Sequence, residues 1–211
     1  MDAASVNDEG RRKPIMGLMG QPGSGKSTVA SVMAEMGGGV VDADALSRGV
    51  LAEPAVVDEL VSWWGEGVRS DDGTLDRAAV GRRVFSDPEA LARLEGLVHP
   101  RVAEGRAALH RQYESDPAIR FIVEDCPLLI ESGLDASCDR LLLVEAPREV
   151  RLKRVTSRGW DAAELERREA QQAPLDTRRS RADDVVTNAG DRQQILEPIR
   201  RAVRSLLSSP M

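Results

Sequence analysis

Residues 20 to 28 read GQPGSGKST, and this stretch decides the fold. Gly20, Gly25, Lys26 and Ser27 fit the G-x-x-x-x-G-K-[ST] pattern of a phosphate-binding loop. The residues before it, PIMGLM, predict a buried strand, and STVASVMAEM after it predicts a helix. Glycines suit this loop because successive backbone N–H groups must turn inward onto phosphate oxygens, where side chains would block the approach. The helix that follows adds its positive N-terminal end. In such a loop Lys26 reaches the β- and γ-phosphates of a nucleotide, and the Ser27 hydroxyl ligates Mg²⁺. A fortuitous glycine turn before a helix would not bring strand, motif and helix together.

Outward from the loop, the chain has 211 residues, 41% of them hydrophobic, enough for a real core in one domain with insertions. A formal charge of −6 gives no global attraction to nucleic acid or to acidic membranes, so neither is expected as a partner. No apolar stretch approaches a membrane span and the N-terminus lacks a signal-peptide core, so a soluble, cytoplasmic protein is expected. Cys126 and Cys138 have neither metal-ligand spacing nor a disulfide framework, and Cys126 reads as a small buried strand residue. Residues 1 to 13 are polar and aperiodic and predict a mobile tail, with the fold starting near Pro14.

Four further strands are predicted: a short one within 37 to 44, then 121 to 126, 140 to 146 and, more weakly patterned, 183 to 188. Helical segments separate them, which predicts a doubly wound, five-stranded parallel sheet of α/β class covered on both faces. Between 45 and 118 no strand is predicted, and a helical insertion carrying a second substrate fits there. Arg151, Arg154 and Arg158 recur every three or four residues on one side of a helix. They are either a solvated face or cations for a transferring phosphoryl group.

A phosphate loop alone fits a switch GTPase, an ABC-type or motor ATPase, or a small-molecule kinase. DDVVTNAGD offers Asn188 but no lysine for an N-K-x-D guanine reader, and no LSGGQ-like signature exists. A kinase needs an acidic group at the acceptor hydroxyl, at the carboxyl end of a neighbouring strand. VVDAD supplies Asp42 and Asp44 there; Asp44 is either base or orienter for the hydroxyl, or the N-cap of the helix ALSRGVL.

GLMGQPGSGKSTVA, VVDADALSRGV, DDGTLDRAAVGRRVFSD, LEGLVHPRV, EDCPLLIE, LKRVTSR and ADDVVTNAG follow one another in the order and approximate spacing of the dephospho-CoA kinases, which the chain resembles over residues 15 to 207. The resemblance implies a P-loop kinase that moves the ATP γ-phosphate to the ribose 3′-hydroxyl of dephospho-CoA, the last step of coenzyme A biosynthesis. It implies that Gly20 and Gly23, Ser24, Gly25, Lys26, Ser27 and Thr28 hold the ATP phosphates, with Lys26, Asp44 and Arg154 catalytic. Ser27 and Asp125 are the implied Mg²⁺ contacts, the latter through water. Arg154 and Arg158 match a basic lid over 147 to 182, which leaves Arg154 exposed while the lid is open. Asn188 and Gly190 match the loop near the adenine; Asp44, Arg77 and His99 are assigned to the acceptor. The pair His99-Pro100 also reads as the start of a helix with a satisfied histidine.

The chain departs from the family pattern at Gln21-Pro22, after Glu53-Pro54 and at Trp63-Trp64 before Gly65, so acceptor contacts within 52 to 65 transfer least. The two tryptophans either line an apolar wall for the acceptor or belong to a helical core. A kinase with another acceptor and a slow ATP-hydrolysing regulator are the competing readings, and no protein partner is predicted.

Overall fold

The computed structural model describes residues 12 to 208. Five strands, β1 (Ile15–Gly20), β2 (Gly38–Asp42), β3 (Phe121–Asp125), β4 (Arg140–Glu145) and β5 (Asp184–Thr187), form one parallel sheet in the order β2-β3-β1-β4-β5. All five lie where the sequence predicts them. β1 is central and buried along its whole length, because helices cover both faces and every side chain meets protein. Its register runs Leu18 opposite Asp125 on one side and Gly20 opposite Val144 on the other.

α1 (Lys26–Glu35) contributes Val29, Ala30, Val32 and Met33 to the core, and α9 (Arg192–Ser208) contributes Ile195, Ile199, Ala202, Val203 and Leu206. The α9 spacing is that of a one-sided apolar stripe, which accounts for a helix that carries Pro198 in its interior. Between β4 and β5 lie α6 (Arg148–Thr156), α7 (Ala162–Ala170) and α8 (Leu175–Arg181). Asp161 caps α7 by accepting from the Glu164 N–H at 2.7 Å.

Residue contacts divide the chain into two compact units, one of the described residues up to Val41 and from Gln112 on, the other Asp42–Arg111. The second unit is helical. It comprises α2 (Ala43–Ala52), α3 (Pro54–Trp64), α4 (Arg77–Phe85) and most of α5 (Pro88–Ser115), around a core of Val50, Val56, Val57, Leu60, Val68 and Val80. An isolated antiparallel bridge between Arg69 and Leu75 is its extended pairing among the described residues.

Three details differ from expectation. Arg12 and Lys13, assigned to the tail, are held: Arg12 donates to both Asp139 carboxylate oxygens, at 2.8 and 2.5 Å, and the Lys13 N–H donates to Glu114 at 3.0 Å. The rest of that expected tail, residues 1 to 11, lies outside the described residues. Cys126 is buried but stands just past the end of β3. His99-Pro100 does not start a helix; it lies inside the 28-residue α5, where the Arg101 guanidinium donates to the Leu97 carbonyl at 2.8 Å. A long helix with many other backbone bonds tolerates the one that proline removes.

Candidate active site

The loop between β1 and α1 turns on Ser24 N–H donating to the Gln21 carbonyl at 3.0 Å. Gly25 is the N-cap of α1 at φ 89°, a left-handed conformation that strains residues with a Cβ, and it has no side chain to occupy the first N–H groups of the helix. The positive end of α1 is thus open to phosphate. Ser27 and Thr28 stand solvent-exposed in its first turn.

Close packing imposes a second demand on the glycines. A Cβ on Gly25 would lie 2.2 Å from the Asn188 amide nitrogen, and one on Gly23 would lie 2.8 Å from the Arg151 carbonyl oxygen. The loop is therefore cast against α6 and the end of β5. Arg154 completes the contact: its guanidinium donates to the Gly23 carbonyl at 3.2 Å, the Ser24 carbonyl at 3.1 Å and the Asn188 side-chain oxygen at 3.0 Å. Burial, and then the nearby positive charge of Arg158, push the Arg154 guanidinium below its ordinary pKa. Such a cation gains from an arriving anion. Lys26 meets Asp125 in an ion pair between the loop and the end of β3, both side chains largely buried.

The structure therefore brings together Gly20, Gly23, Ser24, Gly25, Lys26, Asp125, Arg154 and Asn188. Arg154 is half-buried and fixed to the loop, where an exposed lid residue was expected. The three arginines do not share one environment either. Arg151 is 5% exposed and bonds Ala146 O and Glu169, and burial lowers its pKa, with Arg148 and Arg178 adding to the effect. Arg158 is exposed, beyond the end of α6. Asn188 is 3% exposed beneath the phosphate loop; Gly190, at φ 135°, is exposed.

Within the helical unit, Asp42 rather than Asp44 caps α2, accepting from the Ala45 N–H at 2.8 Å. Asp44 is an exposed carboxylate in the first turn, released from the capping role. Arg77 is exposed at the start of α4, just after its cap Asp76, and His99 is exposed on α5. Trp63 and Trp64 meet edge to face at 5.8 Å, and the Arg93 guanidinium lies 3.9 Å above the Trp63 ring. With Val68, Ala79, Arg82 and Arg83 they line an open groove of about 520 Å³, so they are at once the rim of the helical core and a surface.

Residues that sequence reasoning missed hold the site from behind. Gln172, in the turn between α7 and α8, is buried and donates to the Gly20 carbonyl at 3.2 Å and the Pro127 carbonyl at 2.8 Å. Buried Arg178 donates to the Gln172 side-chain oxygen at 3.1 Å. Arg179 pairs with Glu145 at the end of β4 at 2.6 and 3.0 Å.

A phosphate loop at the central strand of a parallel sheet, with an arginine from beyond β4 clamped to the loop's own carbonyls, defines a P-loop kinase, an enzyme that uses ATP. The family model described as dephospho-CoA kinase matches residues 14 to 194. Relatives named dephospho-CoA kinase from Corynebacterium jeikeium and Deinococcus radiodurans are each 40% identical, covering 87% and 90% of this chain and 95% and 91% of their own. A solved Thermus thermophilus protein aligns at TM-score 0.78 and 38% identity, over 94% of this chain and all of its own. The solved dephospho-CoA kinase of Campylobacter jejuni shares the fold at TM-score 0.65 and 21% identity, over 93% of this chain and 98% of its own. The chain belongs to the dephospho-CoA kinase family.

Proposed function

We propose that this protein transfers the γ-phosphoryl group of ATP to the ribose 3′-hydroxyl of dephospho-CoA, giving coenzyme A and ADP. The observation that carries the reading is the 40% identity, over about nine tenths of the chain, to relatives named for that reaction. The acceptor oxygen bonds to the γ-phosphorus as the bond to the bridging oxygen of ADP breaks, and the hydroxyl proton passes to Asp44. Lys26 and the helix α1 N-terminus hold the phosphates. Arg154, already desolvated at the loop, offers charge to the equatorial oxygens, where such charge contributes most. Asp44 suits the role of base because it is exposed and Asp42 does the capping.

Mg²⁺ belongs to the proposal. The Ser27 hydroxyl is a hard oxygen donor that would ligate the ion directly, and the Asp125 carboxylate would hold it through water, with phosphates and water completing its shell. Bound there, it would neutralise phosphate charge. Asp125 would hold it in place of its present partner Lys26. Within 147 to 182 the closing segment is proposed to lie around Arg158 to Glu166, because buried hydrogen bonds of Arg151, Gln172 and Arg178 fix the remainder. A cytoplasmic setting goes with the reading, and among the described residues no helix is long and apolar enough to cross a membrane.

The acceptor tests it. A remote part of a substrate can help position its reacting group, and the groove at Trp63 and Trp64 is a candidate surface for the pantetheine arm. Dephospho-CoA is expected to be phosphorylated far more efficiently than adenosine or AMP, with the new phosphate at the 3′ position of the product by NMR. Equal rates on adenosine, or no phosphorylation of dephospho-CoA with Mg-ATP, would refute the assignment.

A further inference from the structure

β1 and β3 run side by side as far as Leu18 opposite Asp125. Past that rung the chains part: β1 leads into the phosphate loop, and β3 into the segment Cys126 to Leu129. This is also the point where the sheet order reverses, since β1 connects through α1 to β2 on one side and β3 leads to β4 on the other. A crevice opens at such a switch point, and ligands of open α/β sheets bind there.

Among the described residues, an ionic tie and an amide tie cross the parting chains. One is ionic, Lys26 to Asp125. The other is the Gln172 amide, whose nitrogen donates to the carbonyls of Gly20 and Pro127, each two residues beyond the last rung. An amide NH₂ has two hydrogens, and here each meets one acceptor. The amide cannot be reversed without loss. Its oxygen accepts from Arg178 at 3.1 Å, so flipping it would set oxygen against two carbonyls and NH₂ against a guanidinium. The turn that carries Gln172 is fixed in turn by Arg178 donating to the Ala173 carbonyl at 2.9 Å and by the Ala173 N–H donating to Glu131.

We propose that Gln172 is a positioning residue for phosphoryl transfer: its side-chain amide acts as a detached rung that sets the spacing between the phosphate loop and the Asp125 end of β3. The inference rests on the kinase reading above. In that reading Lys26 turns from Asp125 to the phosphates when nucleotide binds, so the ionic tie is given up when alignment begins to matter. The amide tie carries no charge and touches no phosphate, so it persists. Misplacement of reacting groups by about 1 Å is enough to lower a rate 100-fold.

Gln172→Glu and Gln172→Met separate positioning from simple support. Glutamate keeps the size and an acceptor for Arg178 but has no proton to donate to Gly20 or Pro127; methionine keeps the bulk and neither bond. In both, kcat with ATP and dephospho-CoA should fall about 10- to 100-fold while KM for ATP stays within about threefold. The Glu variant sets an oxygen against the two carbonyls while pairing with Arg178, so it should melt below wild type, and kcat is read at a temperature at which calorimetry finds each variant folded. Amide hydrogen exchange, read by mass spectrometry on the substrate-free protein, should accelerate at 20 to 25 and 126 to 129 and stay unchanged in α9. Wild-type kcat in both variants, activity that falls only with the folded fraction, or unaltered exchange at those segments would overturn the proposal. A wild-type protein inactive on dephospho-CoA would refute the kinase assignment instead, and exchange would still decide whether Gln172 holds the crevice.

Discussion

Arg154→Ala separates two contributions of one side chain. In the substrate-free protein the guanidinium makes three hydrogen bonds, to Gly23 O, Ser24 O and Asn188 Oδ1 at 3.0 to 3.2 Å. Each is worth about 0.5–1.5 kcal/mol net, and partial exposure favours the lower half, giving a loss of about 1.5–3 kcal/mol. At 2–4 °C per kcal/mol for a chain of this size, Tm should fall by about 3–12 °C. The rate effect is larger and of different origin. Removing one preorganised donor from a transition state costs about 10²–10³ in kcat. Unfolding cannot produce that loss at 25 °C, because a protein of only about 5 kcal/mol stability that loses 3 remains more than about 95% folded. Calorimetry gives the first quantity and an ADP-release assay at saturating substrates gives the second. Lysine at 154 restores charge but not the fork that reaches three acceptors, so it should recover rate only in part. If Arg154→Ala melts earlier by the stated amount and still turns over within about threefold of wild type, Arg154 is a strut of the loop and takes no part in the chemistry.

Asp44→Asn should reduce kcat about 10²–10⁴-fold with KM for ATP little changed, and calorimetry should find a stability loss below about 1 kcal/mol, because Asp42 caps α2. Normal turnover in this variant would move the base elsewhere. Asp139→Asn tests the anchoring of the first described residues: burial would raise the Asp139 carboxyl, but hydrogen bonds from Arg12 and the Ile15 N–H outweigh it and hold it below the ordinary aspartate value. A depressed acid stabilises the fold above its unfolded pKa and loses that contribution as pH falls through the folded one. Urea titrations should therefore show the variant less stable near neutrality, with the gap closing below about pH 4; a gap independent of pH would contradict the assignment.

The sheet was legible because buried parallel strands are short apolar runs, and the phosphate loop because its chemistry requires particular residues at particular spacings. Depth was not legible. Arg151, Arg154 and Arg158 share a spacing, and spacing assigns a helix face but not what covers it. The Glu169 that buries Arg151 lies 18 residues further on, in another helix. Asn188 was placed near the adenine by resemblance, yet its side chain packs under Gly25, a contact between residues 163 positions apart. Gln172 left no trace at all. Glutamine in QQAP is an ordinary polar turn residue until the carbonyls it serves are seen, and those belong to the end of β1 and to the segment that follows β3. His99-Pro100 misled in the opposite way, because proline favours a helix start locally and the 28-residue α5 overrode that preference.

The pairing of Lys26 with Asp125 makes occupancy of the resting site an exchange rather than an addition. A lysine without a counter-charge would gather whatever small anion the solution holds. Here a newcomer gains only the difference between its own attraction for the ammonium and that of a carboxylate already in place. For chloride or acetate that difference is near zero or unfavourable, while a polyphosphate brings several charges and meets the loop's N–H groups as well. In the proposed reading abundant monovalent ions therefore compete poorly for the cradle, and a multivalent phosphate is favoured over them.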